Sequence, residues 1–192
     1  MTAVQLDPRV VAFATEVVDA TDEVVPVVEG FVLGSAALGT FDASTSDLDL
    51  TVVLAEPLGA RREELVRRLR SLELPFRDLE LVAYVAGSQP PELELNFDHG
   101  QERPDEHPFW FVLDAALGQE HALPVRGRHE WSELFATVGP ERVDAAMRES
   151  LAWAEQAPAD NGFARLHAIR ARRYLEDGVW ISKSQAREEA QA

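Results

Sequence analysis

Asp47 and Asp49 stand two residues apart in a stretch where acidic and apolar residues alternate, Asp47-Leu48-Asp49-Leu50. On an extended chain, residues i and i+2 project to the same side. Both carboxylates therefore face one way while Leu48 and Leu50 face the other. Two carboxylates that close repel each other unless a cation sits between them. Hard oxygen donors of this kind suit Mg²⁺, with phosphate oxygens and water completing its octahedron. Roughly a dozen residues earlier, an apolar run ends in Gly34-Ser35. Glycine there lets the backbone approach a phosphate closely, and Ser35 offers a hydroxyl. A short helix starting over 36–38 would point free N–H groups at an anion. Glu80 supplies a third carboxylate inside Leu79-Glu80-Leu81-Val82, where a charge is costly to bury without a partner. Beside the 47–54 strand it would join the metal cluster or take a proton from an attacking hydroxyl.

The elements that must position these residues follow from periodicity. Asp7-Pro8 pairs an N-cap with proline at the first helical position. Val10, Val11, Phe13, Ala14, Val17 and Val18 then recur at helical spacing, which predicts a helix over 8–20. Strands are predicted over 29–33, 47–54 and 78–85, with an edge strand over 92–97 after a break at Pro90-Pro91. Leu65, Leu69 and Leu72 lie on one face of a helix over 61–74. The polar, acidic segment 98–108 reads as a loop, 109–117 and 130–136 as helices, and 122–125 as a short strand. Beyond Gly139-Pro140 the pattern is helical, over 141–155, 160–177 and from Ser182 onward. Gly178 is placed as a helix-ending glycine, and Ser182 with Gln185 has capping-box spacing. The predicted organisation is an α/β-type domain over 1–138 and a small helical domain over 139–192, with no internal repeat.

Composition narrows the function further. The 192 residues are 46 % hydrophobic and 27 % charged, and no apolar run approaches the ~18 residues of a bilayer span. No leader-like apolar segment follows Met1, so a cytoplasmic setting without membrane attachment is expected. The absence of cysteine excludes disulfides, zinc-thiolate sites and thiol catalysis. The net charge of −16 is the wrong sign for a nucleic-acid backbone and the right sign for metals and cationic small molecules. His99, His107, His121, His129 and His167 lack metal-ligand spacing. Trp110, Trp131 and Trp180 read as packing residues. Neither a Walker motif nor a dinucleotide glycine fingerprint is present.

Gly34-Ser35 followed by Asp47-Leu48-Asp49 resembles the signature of the nucleotidyltransferase superfamily. More narrowly, the chain resembles aminoglycoside adenylyltransferases of the streptomycin/spectinomycin type. Arg77-Asp78-Leu79-Glu80-Leu81, Pro91, Glu94-Leu95-Asn96-Phe97, Arg170, Arg173-Tyr174-Leu175, Gly178 and Ser182-Lys183-Ser184 carry that likeness. It implies an α+β fold, a polymerase-β-like mixed sheet with flanking helices, followed by a C-terminal helical domain that is short for the family. It implies transfer of AMP from ATP to a hydroxyl of a cationic aminoglycoside or aminocyclitol, conferring antibiotic resistance. Asp47 and Asp49 would hold two Mg²⁺ ions with Glu80, and Glu80 would be the general base. Gly34, Ser35, Ser46, Arg170 and Lys183 would bind the nucleotide, with ATP bridging the domains, and Asp160 would meet the acceptor's cationic groups. Read from the residues alone, Asp160 is equally a helix N-cap, and Arg170 one of several arginines on a basic helix. Two other functions stay open at this point: AMP transfer to a protein, and a non-catalytic module binding a nucleotide or antibiotic. Monomer and homodimer are both compatible with the sequence.

Overall fold

In a computed structural model, residues 6–87, 92–103 and 107–191 are described. The Pro90-Pro91 break, residues 1–5 and the middle of the predicted 98–108 loop lie outside them. The chain divides into two compact units: Met1–Asp105 with Gly118–Ala136, and Glu106–Leu117 with Thr137–Ala192.

The first unit is built on a six-stranded mixed sheet. Its strands are β1 (Val27–Val32), β2 (Leu48–Leu54), β3 (Leu79–Val85), β4 (Glu92–Asp98), β5 (Gln101–Glu102) and β6 (Leu123–Pro124), in the order β5-β4-β3-β2-β1-β6. Among the described residues, only β2 and β3 run parallel. Helix α3 (Arg62–Arg70) lies between them in the chain, after a 3₁₀ turn at Gly59–Arg61, because a parallel pair needs a crossover. The helix is shorter than its leucine spacing predicts: Leu65 and Leu69 are buried in it, while Leu72 lies past its end.

Helix α1 (Pro8–Asp22) starts where Asp7 accepts the Arg9 N–H at 2.8 Å, with Pro8 in the first turn. Its Phe13 and Val17 join Leu65 and Leu69 in burying one face of the sheet, lined by Leu48, Leu50, Val52, Leu54, Leu79 and Leu81. Contact there is close enough that a Cβ on Gly30 of β1 would lie 2.5 Å from a Val18 methyl. On the opposite face Phe31 meets Trp131 of α5 (Trp131–Leu134) edge-on at 5.1 Å, and Tyr84 meets Phe135 at 5.5 Å.

Glu29 is the exception to an apolar β1. Its side chain is fully buried, and its oxygens accept the N–H groups of Gly30 (2.9 Å), Arg126 (2.9 Å), Arg128 (2.7 Å) and His129 (3.2 Å). Burial raises the carboxyl's pKa, but those four donors outweigh it and leave the pKa below its ordinary value. Arg126 in turn pairs with Asp19 at 2.8 Å and Asp22 at 3.2 Å on α1. The Glu29 carboxylate thus fastens the loop after β6 to the sheet, and the Arg126 guanidinium fastens that loop to α1.

Two differences from the sequence reading concern this sheet. Strand β4, expected at the edge, is internal, because the polar segment read as loop contributes β5. The β4–β5 turn is made by His99 at φ 49° and Gly100 at φ 68°, the left-handed pair that suits a two-residue hairpin.

The second unit is helical: α6 (Pro140–Gln156), α7 (Gly162–Asp177), α8 (Lys183–Glu189) and the first part of α4 (Pro108–His121). The sequence reading placed the whole of 1–138 in one domain. Phe109, Leu113 and Ala116 of α4 instead pack with Val143, Ala146, Met147 and Ala171, which groups that part of α4 with the later helices. Helix α8 carries the capping box read from Ser182 and Gln185, and α7 ends on Gly178 at φ 73°. Asn161, not Asp160, caps α7, accepting the Ala164 N–H at 3.0 Å. Among the described residues, no helix is long and apolar enough to cross a membrane.

At the centre of this unit His167 is 4 % exposed, and neither ring nitrogen has a hydrogen-bond partner among the described residues. Trp110 stands edge-on to it at 4.5 Å. Burial, then the nearby Arg170 guanidinium, push the imidazole pKa down from 6.5 to about 3. Below pH 6.5 the unfolded chain takes up a proton that the folded state refuses. Stability from this group is thus complete above 6.5 and falls by about 1.4 kcal/mol per pH unit on the acid side, until the folded pKa is reached. Chemical denaturation of the wild type is expected to show a loss of about 2 kcal/mol from this group between pH 7 and pH 5. His167→Phe should lack that loss, and an identical pH slope in the two proteins would contradict the assignment.

Candidate active site

Asp49 is the second residue of β2, and the parallel register sets it directly beside Glu80 of β3. Neighbouring strands lie about 4.8 Å apart, so the two carboxylates rise side by side from one face. The apolar neighbours of both residues, Leu48, Leu50, Leu79 and Leu81, are at most 2 % exposed on the other face. The alternation in the sequence therefore fixes which way the acids point.

Gly34 opens α2 (Gly34–Ala37) immediately after β1 and adopts φ +57°. A Cβ there would fall 1.5 Å from Asp49 Oδ2. The missing side chain is the space in which the Asp49 carboxylate rests, and the Leu33 N–H fastens the same place by donating to the Asp49 carbonyl at 2.9 Å. Glycine at this position serves the carboxylate first, where the sequence alone suggested an approach to phosphate. Ser35 lies in the first turn of α2, and its carbonyl accepts the Thr40 N–H at 2.9 Å.

Asp47 precedes β2, and its Oδ1 lies 3.3 Å from Arg77 Nε. The loop before it is closed by Asp42 and Ser46: the Asp42 N–H donates to Ser46 Oγ at 3.1 Å, and the Ser46 N–H to the Asp42 carbonyl at 2.7 Å. Ser46 Oγ, accepting there, keeps its own proton to donate.

The structure adds a carboxylate that sequence reasoning missed. Leu81 pairs with Phe97, and Asp98 with Gln101. Continuing the antiparallel register sets Asp98 beside Glu80, on the side away from Asp49. Burial raises the Asp98 pKa, Asp78 and Asp47 raise it further, and His99 and Arg103 oppose them. The His99 ring contacts Asp78 and, at 3.7 Å, Asp98; Arg103 reaches Asp98 at 3.8 Å. The available signal was the turn-forming His99-Gly100, which puts Asp98 at the end of a paired strand.

For a hard divalent cation, the donor chemistry of Asp47, Asp49 and Glu80 is suitable, and the absence of a Cβ at Gly34 leaves the space that the Asp49 carboxylate occupies. Asp49 and Glu80 are brought together by register, whereas Asp47 is engaged by Arg77. Among the described residues, no three His, Asp or Glu side chains gather around one point as a metal cluster.

The other residues singled out from the sequence belong to the helical unit. Arg170 Nε on α7 donates to the Ile181 carbonyl at 2.9 Å, tying the helix to the segment that leads into α8. Lys183 is the first residue of α8, and its Nζ stands 5.6 Å from the Phe163 ring centre. Asp160 is exposed in the turn between α6 and α7.

Comparison with protein-family models and with curated proteins gives no match. Among solved structures, the chain is similar to spectinomycin adenyltransferase AAD(9) from Enterococcus faecialis, a crystal structure with ATP and spectinomycin. The TM-score is 0.70 at 18 % identity, over 90 % of this chain and 80 % of that one. The mixed six-stranded sheet with flanking helices thus shares the fold of that adenyltransferase, the α+β fold that the sequence resemblance implied.

Proposed function

We propose that the protein is a Mg²⁺-dependent nucleotidyltransferase that moves AMP from ATP to a hydroxyl of a cationic aminoglycoside or aminocyclitol. The observation that carries this reading is the Asp49–Glu80 pair, set side by side by the β2–β3 register with the Asp49 carboxylate resting against Gly34. Like-charged side chains held together at a strand end invite a divalent cation. The fold shared with an enzyme solved with ATP and spectinomycin supports the choice of substrates. So does the net charge of −16, which draws polycationic acceptors to the surface.

In this reading Asp47 and Asp49 hold the metal, with Glu80 beside them. Mg²⁺, when bound, supplies positive charge against the triphosphate oxygens and steadies the leaving group. Glu80 accepts the proton of the acceptor hydroxyl. The hydroxyl oxygen bonds to the α-phosphorus of ATP, the bond from that phosphorus to the bridging oxygen breaks, and pyrophosphate leaves with the electron pair. Gly34, Ser35 and Ser46 are assigned to the triphosphate, Arg170 and Lys183 to its negative charge, and Asp160 to the acceptor's ammonium groups. Antibiotic resistance would follow from modification of the acceptor.

The test is pyrophosphate release with ATP and Mg²⁺ across a panel of aminocyclitols and aminoglycosides, with mass spectrometry of each acceptor. A product heavier by one AMP is expected, with turnover about a thousandfold lower in Asp47→Asn. An unmodified panel, or an Asp47→Asn protein as active as the wild type, would overturn the reading. Gly34→Ala probes the cradle separately. Its Cβ would displace the Asp49 carboxylate, and turnover should fall by about a hundredfold or more with the fold intact by circular dichroism. Unchanged turnover in Gly34→Ala would mean that the seat of Asp49 does not matter to the chemistry.

A further inference from the structure

Arg77 sits at the entry to β3, and its Nε lies 3.3 Å from Asp47 Oδ1. The Arg77 side chain is 53 % exposed and the Asp47 side chain 13 %. The arginine is therefore the end of the pair with room to move, and the carboxylate the end that is held. The neighbouring basic side chains have other partners: His99 contacts Asp78 and Asp98, and Arg103 pairs with Asp98. Asp49 and Glu80 are already side by side, yet no three acidic or histidine side chains gather as a metal cluster among the described residues. Asp47, one of the three carboxylates assigned to the metal, is thus paired with a guanidinium.

We propose that Arg77 is a positioning residue that holds Asp47 in the cation-free protein and is displaced when the site takes up a divalent cation. The inference rests on the reading of Asp47 as a metal ligand. A guanidinium and a metal ion at the same carboxylate repel each other, so the two cations compete for Asp47. At equal distance a divalent ion is attracted twice as strongly as a monovalent one. A partly exposed ion pair of this kind favours the closed arrangement by only about two- to fivefold. Arg77 is thus strong enough to keep Asp47 ordered and weak enough to yield. It also relieves the repulsion among the carboxylates while the metal is away.

The experiment is a titration with Mn²⁺ alone, without nucleotide, followed by the electron paramagnetic resonance signal of the free ion. Wild type, Arg77→Gln, Arg77→Lys, Arg103→Gln and Asp47→Asn are compared. Arg77→Gln should bind Mn²⁺ roughly fivefold more tightly than wild type. Arg77→Lys, which keeps a competing cation, should stay within about twofold, as should Arg103→Gln, which alters the local field but not the contact with Asp47. Asp47→Asn should bind much more weakly. Wild-type or weaker affinity in Arg77→Gln would overturn the proposal while leaving the metal reading intact. Equal tightening in Arg103→Gln would overturn it in favour of a general field effect. Absence of Mn²⁺ binding in every protein would overturn both the proposal and the metal reading.

Discussion

The site depends on one electrostatic constraint: Asp49 and Glu80 occupy paired positions on adjacent parallel strands. Two anionic side chains at that spacing work against the sheet that carries them. The fold opposes this with burial on the reverse face, where Leu48, Leu50, Leu79 and Leu81 are closed off by α1 and α3. Slipping either strand by one residue would move its acid into that core and its leucines out of it. The hydrophobic effect therefore holds the register that brings the charges together. Gly34 is part of the same solution, because only a residue without Cβ leaves space for the Asp49 carboxylate at that φ.

Glu29 shows how differently a buried carboxylate is treated when it is structural. Four backbone N–H groups converge on it, so its charge is fully answered within the protein. Around Asp47 and Asp98, by contrast, basic side chains lie on the rim: Arg77 beside Asp47, and His99 and Arg103 beside Asp98. These are partly exposed and exchangeable, whereas the donors around Glu29 are fixed backbone.

Much of this was legible in the sequence. The alternation over 48–54 identifies the buried face of β2 and the outward direction of Asp49, because periodicity and burial are local properties. The cap at Asp7, the box at Ser182 and the stop at Gly178 were readable for the same reason. Partnership over long range was not. That Glu80 pairs with Asp49 is a register between strands separated by the α3 crossover, which no local pattern specifies. That the Glu29 carboxylate is satisfied depends on a loop about a hundred residues away. Asp98 was obscured because β5 has two residues, too few to show a period, and so its neighbour read as an edge. The grouping of Phe109, Leu113 and Ala116 with the later helices depends on which apolar stripe they meet, which no local pattern specifies. Asp160 and Asn161 are both good cap residues side by side, and only the backbone selects the second.

In the proposed function, Asp49 and Glu80 are like charges side by side in the cation-free protein, and a nucleotide-bound divalent cation offsets their repulsion. Thermal unfolding of wild type, Asp49→Asn and Glu80→Gln, each with and without ATP and Mg²⁺, tests it most directly. Without ligand, each neutral variant should melt about 2–4 °C above wild type, as expected for relief of about 1 kcal/mol in a chain of this size. Addition of ATP and Mg²⁺ should raise the wild-type midpoint and leave that of Asp49→Asn nearly unchanged. A lower midpoint for both variants without ligand, together with an undiminished ligand shift in Asp49→Asn, would contradict the account.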